Sequence, residues 1–177
     1  MKKNLFKILS FAVILAFMMP LFTNAQTGKA NFAGNWAVNA EKSTQPQQGG
    51  GGQGGGGQRG GMGPLTVTQE ANLLNVETSV TNQNGETTKR AMKYTLDGKE
   101  SINANPRGDS KSVATWAADG NSLTVVTTRT MDINGESRTI KTTAVWVMEG
   151  ANLVVTTTSP GQSGNPDRVV KLVYDKK

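Results

Sequence analysis

The 177-residue chain contains no cysteine and no histidine. Those two absences remove thiolate nucleophiles, disulfides, haem thioethers, imidazole-based triads and nearly all zinc sites. Aromatics are sparse as well, with 3 Trp, 2 Tyr and 5 Phe, and 13 Asp plus Glu stand against 19 Lys plus Arg. The reactive side chains left are carboxylates, hydroxyls and amines. Helical periodicity is also missing after Leu65, where the chain turns to alternating short apolar and polar positions.

One long apolar run exists, at the start. Lys2 and Lys3 precede an apolar stretch from about Ile8 to Met19, then Pro20 and the small-residue site Thr23-Asn24-Ala25. Such a pattern predicts a cleaved signal peptide over 1–25 and a single mature domain over 26–177. Loss of Lys2, Lys3 and Lys7 with the leader lowers the formal net charge from +6 to +3. With no Cys after the apolar run there is no lipid-anchor site, so the expected location is the periplasm or the exterior. A disulfide-free protein in that oxidising compartment must be stabilised by packing alone.

Pro46 to Pro64 is a Gly-rich stretch of 19 residues holding 11 Gly and 4 Gln, whose only apolar side chain is Met62. It buries too little surface to offset its backbone entropy and is expected to be a disordered loop. A single Arg59-Gly60-Gly61 is too little for RNA binding, and no Gly-Lys-Ser/Thr follows for a phosphate loop. No nucleic-acid partner is expected.

From Leu65 onward 18 Thr and 13 Val, with a turn signal every eight to twelve residues, predict an all-β meander. Strands are expected near 32–39, 65–70, 73–80, 87–96, 111–117, 122–130, 137–147, 152–159 and 167–174. Asn84-Gly85, Asp97-Gly98, Asp119-Gly120, Asn134-Gly135 and Glu149-Gly150 supply the hairpin turns. An echo thirty residues apart, Ala114-Thr115-Trp116 and Ala144-Val145-Trp146, each leading through a glycine turn to a returning strand, reflects the same hairpin geometry. Alternation puts Met92, Tyr94, Ala114, Trp116, Leu123, Val125, Ala144, Trp146, Leu153, Val155, Leu172 and Tyr174 on one face, the interior. The opposite face carries Lys89, Lys93, Lys141 and Lys171, too costly for lipid, so membrane insertion as a barrel is not expected.

Nine strands would close a meander with a parallel pair; an even number closes with antiparallel pairing throughout. Glu100 to Ala104 can supply a tenth strand. The expected fold is therefore an up-and-down antiparallel β-barrel of 8 to 10 strands, ten preferred. In the ten-strand count Phe32, Trp36, Tyr94, Trp116, Trp146 and Tyr174 gather at one end as core, while the inward arginines Arg90, Arg129, Arg138 and Arg168 fall toward the other.

Gly34-Asn35-Trp36 opening the first strand resembles the lipocalins and the wider calycin group. Together with Tyr94-Thr95-Leu96-Asp97-Gly98-Lys99 and the closing Val170-Lys171-Leu172-Val173-Tyr174, the run Phe32 to Ser43 is similar to exported bacterial lipocalin-like proteins of unassigned activity. The resemblance implies that Trp36 lies across the closed end under a cation of the last strand, with Arg168 or Lys171 at the matching position. It implies too that the Gly-rich insert hangs over the open mouth. A disulfide and a C-terminal helix, present in eukaryotic lipocalins, are absent here.

Arg90, Arg129, Arg138 and Arg168 are the candidate ligand-binding residues, as a guanidinium collar suits a carboxylate or sulfate headgroup. The plainer reading makes them strand ends whose stems cover apolar surface. Arg107-Gly108-Asp109-Ser110 matches an adhesion tripeptide only as a short string, and Asp132 to Glu136 has its Gly too early for a calcium loop. Glu70, Glu77 and Glu86, or Asp97 and Glu100, have no predicted inward geometry for acid and base work. No catalytic residue, metal site or cofactor is expected. The leading expectation is a non-catalytic barrel holding a small hydrophobic or amphiphilic, anionic ligand. The alternative is an envelope structural or protein-interaction module with a fully packed core.

Overall fold

A computed structural model describes residues 28–44, 63–81, 87–104, 108–133, 135–161 and 165–177. The leader at 1–25, the Gly-rich insert up to Met62 and the Asn84-Gly85 turn lie outside the described residues. Ten strands follow in order: β1 (Gly34–Asn39), β2 (Leu65–Gln69), β3 (Leu73–Thr81), β4 (Thr87–Thr95), β5 (Glu100–Asn103), β6 (Ser110–Trp116), β7 (Ser122–Ile133), β8 (Glu136–Glu149), β9 (Asn152–Ser159) and β10 (Arg168–Lys176). All pair antiparallel in one sheet of order β4-β3-β2-β1-β10-β9-β8-β7-β6-β5, a nearly closed barrel without a helix among the described residues. The expected all-β antiparallel barrel of ten strands is the observed one, with β1 beside β10.

Period-two alternation builds the wall as expected: Leu74 and Val76, Leu123 and Val125, and Leu153 and Val155 are buried on the inner face. Phe32 and Ala33 do not belong to the first strand, which begins at Gly34. They end a strap, residues 28–33, that crosses one end of the barrel. Gly120, at φ 71°, lets the strap through, because a Cβ there would run into the carbonyl of Gly28; Ala30 N–H donates to the Gly120 carbonyl at 2.8 Å. On the far side the Gln69 amide clamps the same strap, accepting from Phe32 N–H and donating to the Ala30 carbonyl, both at 2.9 Å.

Two breaks in the backbone ladder are bridged by side chains. Where β1 leaves β10 after Asn39, the Ser43 hydroxyl accepts from Val173 N–H at 2.9 Å and donates to the Asn39 carbonyl at 2.6 Å. Between β4 and β5 no backbone ladder forms. Instead the buried Asn103 amide accepts from Lys93 N–H at 2.7 Å and donates to the Lys93 carbonyl at 3.0 Å, while Ser101 Oγ accepts from Thr95 N–H at 2.8 Å. A primary amide offers the same donor and acceptor as a peptide, so Asn103 closes the seam as one more residue of strand would.

That substitution is testable. Asn103→Leu strands both backbone groups of Lys93 and is expected to cost about 2–3 kcal/mol in urea unfolding. Asn103→Asp keeps the acceptor but sets a carboxylate against the Lys93 carbonyl. Its loss should exceed that of the Leu variant at neutral pH and shrink when acid protonates the new group.

Candidate functional site

The strand register resolves the interior into successive rungs along β5 to β10. At the strapped end lie Trp116, Leu123, Trp146, Val155 and Leu172, each opposite the next. The next rung is Ala114, Val125, Ala144, Thr157 and Val170. Beyond it come Ser101, Ser112, Thr127 and Thr142, then Asn103, Ser110, Arg129 and Ile140. The opposite wall repeats the gradient: Leu74 with Tyr94, then Val67, Val76 and Met92, then Leu65, Thr78 and Arg90. Polarity therefore rises from an aromatic base through a belt of hydroxyls to guanidinium groups.

The base is a packed plug. Phe32, fully buried, stacks on Trp116 at 5.7 Å between ring centroids, 5° from parallel, and meets Trp146 edge-on at 5.9 Å. Its carbonyl accepts the Trp36 indole N–H at 2.9 Å. Trp36, Tyr94, Trp146 and Tyr174 are buried with it, while Trp116 keeps part of its surface exposed beneath the Lys29 ammonium, 5.5 Å from the ring. Burial pushes both phenols up to about 12, since the low-polarity plug disfavours phenolate. The Tyr94 hydroxyl donates to Met92 Sδ at 3.2 Å.

The cation over Trp36 is neither Arg168 nor Lys171. Lys176 stands opposite Trp36 in the β1–β10 register, and its Nζ lies 5.7 Å from the indole centroid. Arg168 opens β10 eight residues earlier, about 26 Å away at strand rise, and Lys171 points outward to Glu149 at 3.4 Å. Gly34 explains the spacing of the motif. At φ 150° it takes a conformation side chains avoid, and the Lys176 stem lies 3.2 Å from where a Cβ would be. Glycine two residues before the tryptophan makes room for the covering lysine.

The four arginines are distributed unevenly. Arg129, half-buried, stands between Ser110 and Ile140; Arg90, half-buried on the other wall, stands opposite Thr78. Arg138, opposite Met131, lies diagonal to Arg129, is exposed, and pairs with Glu136 at 3.2 Å. Arg168 is exposed opposite Ser159. The register thus brings Arg129 and Arg138 onto neighbouring strands, and leaves Arg168 and Arg90 on separate ones.

The hydroxyl belt was not among the expected site residues. Ser112, 2% exposed, shares a hydrogen bond of 2.9 Å with Thr127, and Thr142 follows on β8. Inward parity of Ser and Thr on adjacent strands was the available signal, hidden by the abundance of threonine on both faces. Thr78, 7% exposed, stands opposite Arg90, and its hydroxyl has no hydrogen-bond partner among the described residues. Among the described residues no three carboxylates gather as a metal would require. Chemically the interior offers an aromatic base in which Phe32 lies between two indoles, hydroxyl donors and acceptors, and two half-buried guanidinium groups.

Fold and interior together define a nearly closed, all-strand antiparallel barrel compatible with a lipocalin-like fold. No protein-family profile matches the chain, and no curated protein matches it either.

Proposed function

We propose that this is an exported bacterial barrel of lipocalin type that binds a small amphiphile without catalysis. The apolar tail lies toward the Trp116–Trp146 base, and an anionic head meets Arg129 and Arg90. The observation that carries this reading is the polarity gradient of the inner rungs, a layered match for a molecule with one greasy and one charged end. Partial exposure of the inward-facing Met92, Ala144, Thr157 and Val170, next to fully buried Leu123 and Leu153, supports solvent access to the middle of the tube. Export rests on the leader at 1–25, and the absence of catalysis on a repertoire without imidazole or thiol.

Titrating the mature protein with a long-chain fatty acid and with the alcohol of the same length, followed by tryptophan emission, tests the reading. The acid should bind more tightly. Arg90→Gln with Arg129→Gln should weaken the acid about tenfold, the scale of one lost charge-assisted contact, leave the alcohol unchanged and leave the melting temperature within a few degrees. Bare protein recovered from the native host by non-denaturing mass spectrometry, with no response to either probe, would favour the packed interaction module instead.

A further inference from the structure

A threonine on the inner wall of a barrel carries a hydroxyl that must either find a partner or keep its water. Ser112, 2% exposed, and Thr127 satisfy each other at 2.9 Å. Thr142 and Thr157 do not follow them. Both face inward, both are half-buried, and neither hydroxyl bonds to another group among the described residues. Thr143 pairs with Thr158 and Ala144 with Thr157, so Thr142 and Thr157 are diagonal neighbours on β8 and β9. Ala144, the inward residue after Thr142 and opposite Thr157, is small and itself partly exposed. Solvent therefore reaches the wall at all three positions.

The register fixes the depth of this pair. Thr142 stands opposite Thr127, two residues along β7 from Arg129, which is about 7 Å at strand rise, or about six carbons of a saturated chain. Trp146 lies four residues the other way along β8, about 13 Å. A chain whose acid head meets Arg129 and whose tail runs to Trp146 thus passes the two threonines partway along its length. An unsubstituted chain would expel the solvent there and leave both hydroxyls unpaired, which costs affinity. A chain oxygen at that depth bonds to them instead, and sites that would otherwise strand a polar group discriminate strongly for the ligand that satisfies it.

We infer, on the amphiphile reading above, that the ligand is an oxygenated acyl chain, a hydroxy- or oxo-fatty acid, whose chain oxygen is bound by Thr142 and Thr157. An oxo group accepts from both hydroxyls; a hydroxyl accepts from one and donates to the other. The two threonines select the class of chain, while the guanidinium groups select its head.

The test titrates the mature protein calorimetrically with three acids of one length: dodecanoic acid, the same acid hydroxylated at its sixth carbon, and the same acid hydroxylated at its last carbon. The sixth-carbon acid should bind about tenfold more tightly than dodecanoic acid, the scale of one hydrogen bond made instead of stranded. The last-carbon acid should bind more weakly than either, because its hydroxyl lands among the indoles. Thr142→Val keeps the side-chain volume and removes a hydroxyl that no other group uses; it should weaken the sixth-carbon acid about tenfold and tighten dodecanoic acid. Thr142→Ser should keep the wild-type order. A role in packing alone would move all three acids together. Equal binding of the three acids by the wild type, or a preference that survives Thr142→Val combined with Thr157→Val, overturns the inference and leaves the amphiphile reading standing. No binding of any acid overturns both.

Discussion

Truncating Phe32 to Ala is expected to lower the unfolding free energy by about 3–5 kcal/mol, the range for a buried phenylalanine whose site cannot collapse. The ring is fully buried between two indoles, at 5.7 Å from Trp116 and 5.9 Å from Trp146. Both indoles are carried by strands held in long ladders, β6 with β7 and β7 with β8, so neither can move in to fill the void. The strap itself would remain, since Gln69 holds its backbone at Phe32 and Ala30. Loss of the plug should thus redden tryptophan emission and weaken near-ultraviolet circular dichroism while far-ultraviolet signal persists. A loss under 1 kcal/mol in urea unfolding would mean that the strap does not close the base.

Alkali is expected to unfold the protein between about pH 10 and 12. Tyr94 and Tyr174 are 6% and 2% exposed, and burial pushes each phenol up to about 12. In the unfolded chain a phenol titrates near 10. Below that value both states hold the proton and stability is at its maximum. As pH rises the unfolded state ionises first, and stability falls until the folded value is passed. Two units correspond to about 3 kcal/mol for each tyrosine, and the two together are comparable to the whole stability of many domains. Absorbance at 295 nm should show little phenolate until unfolding begins, with both events coinciding. Tyr94→Phe with Tyr174→Phe should remove the fall above pH 10; a fall that persists would place its cause elsewhere.

Most strands were legible because two local signals agree. Asp97-Gly98, Asp119-Gly120 and Glu149-Gly150 permit tight reversals, and large apolar residues recur at every second position on the strands beside them (Tyr94 and Leu96, Leu123 and Val125, Leu153 and Val155), so both turn and inner face follow from nearest-neighbour geometry. The short strand at Glu100 was readable by parity of the count. Illegible were contacts that depend on where distant backbone lies. Nothing local marks Lys176, rather than Arg168 or Lys171, as the cover of Trp36; the β1–β10 register decides it. Nothing local marks Asn103 as a clasp, since an asparagine at a strand end looks like any turn residue until Lys93 stands opposite. Phe32 reads as strand because its pattern continues that of Trp36, yet the strap carries it into the base.

Composition alone removed thiol and imidazole chemistry, and alternation alone set which side chains face inward, because both are properties of single residues and their neighbours along the chain. Tertiary structure decided which rungs meet, that the tube is stoppered by a strap instead of a strand, and that the seam between β4 and β5 is held by side-chain clasps instead of a backbone ladder. Those outcomes depend on shear and register around a barrel, quantities that exist only once the strands have paired.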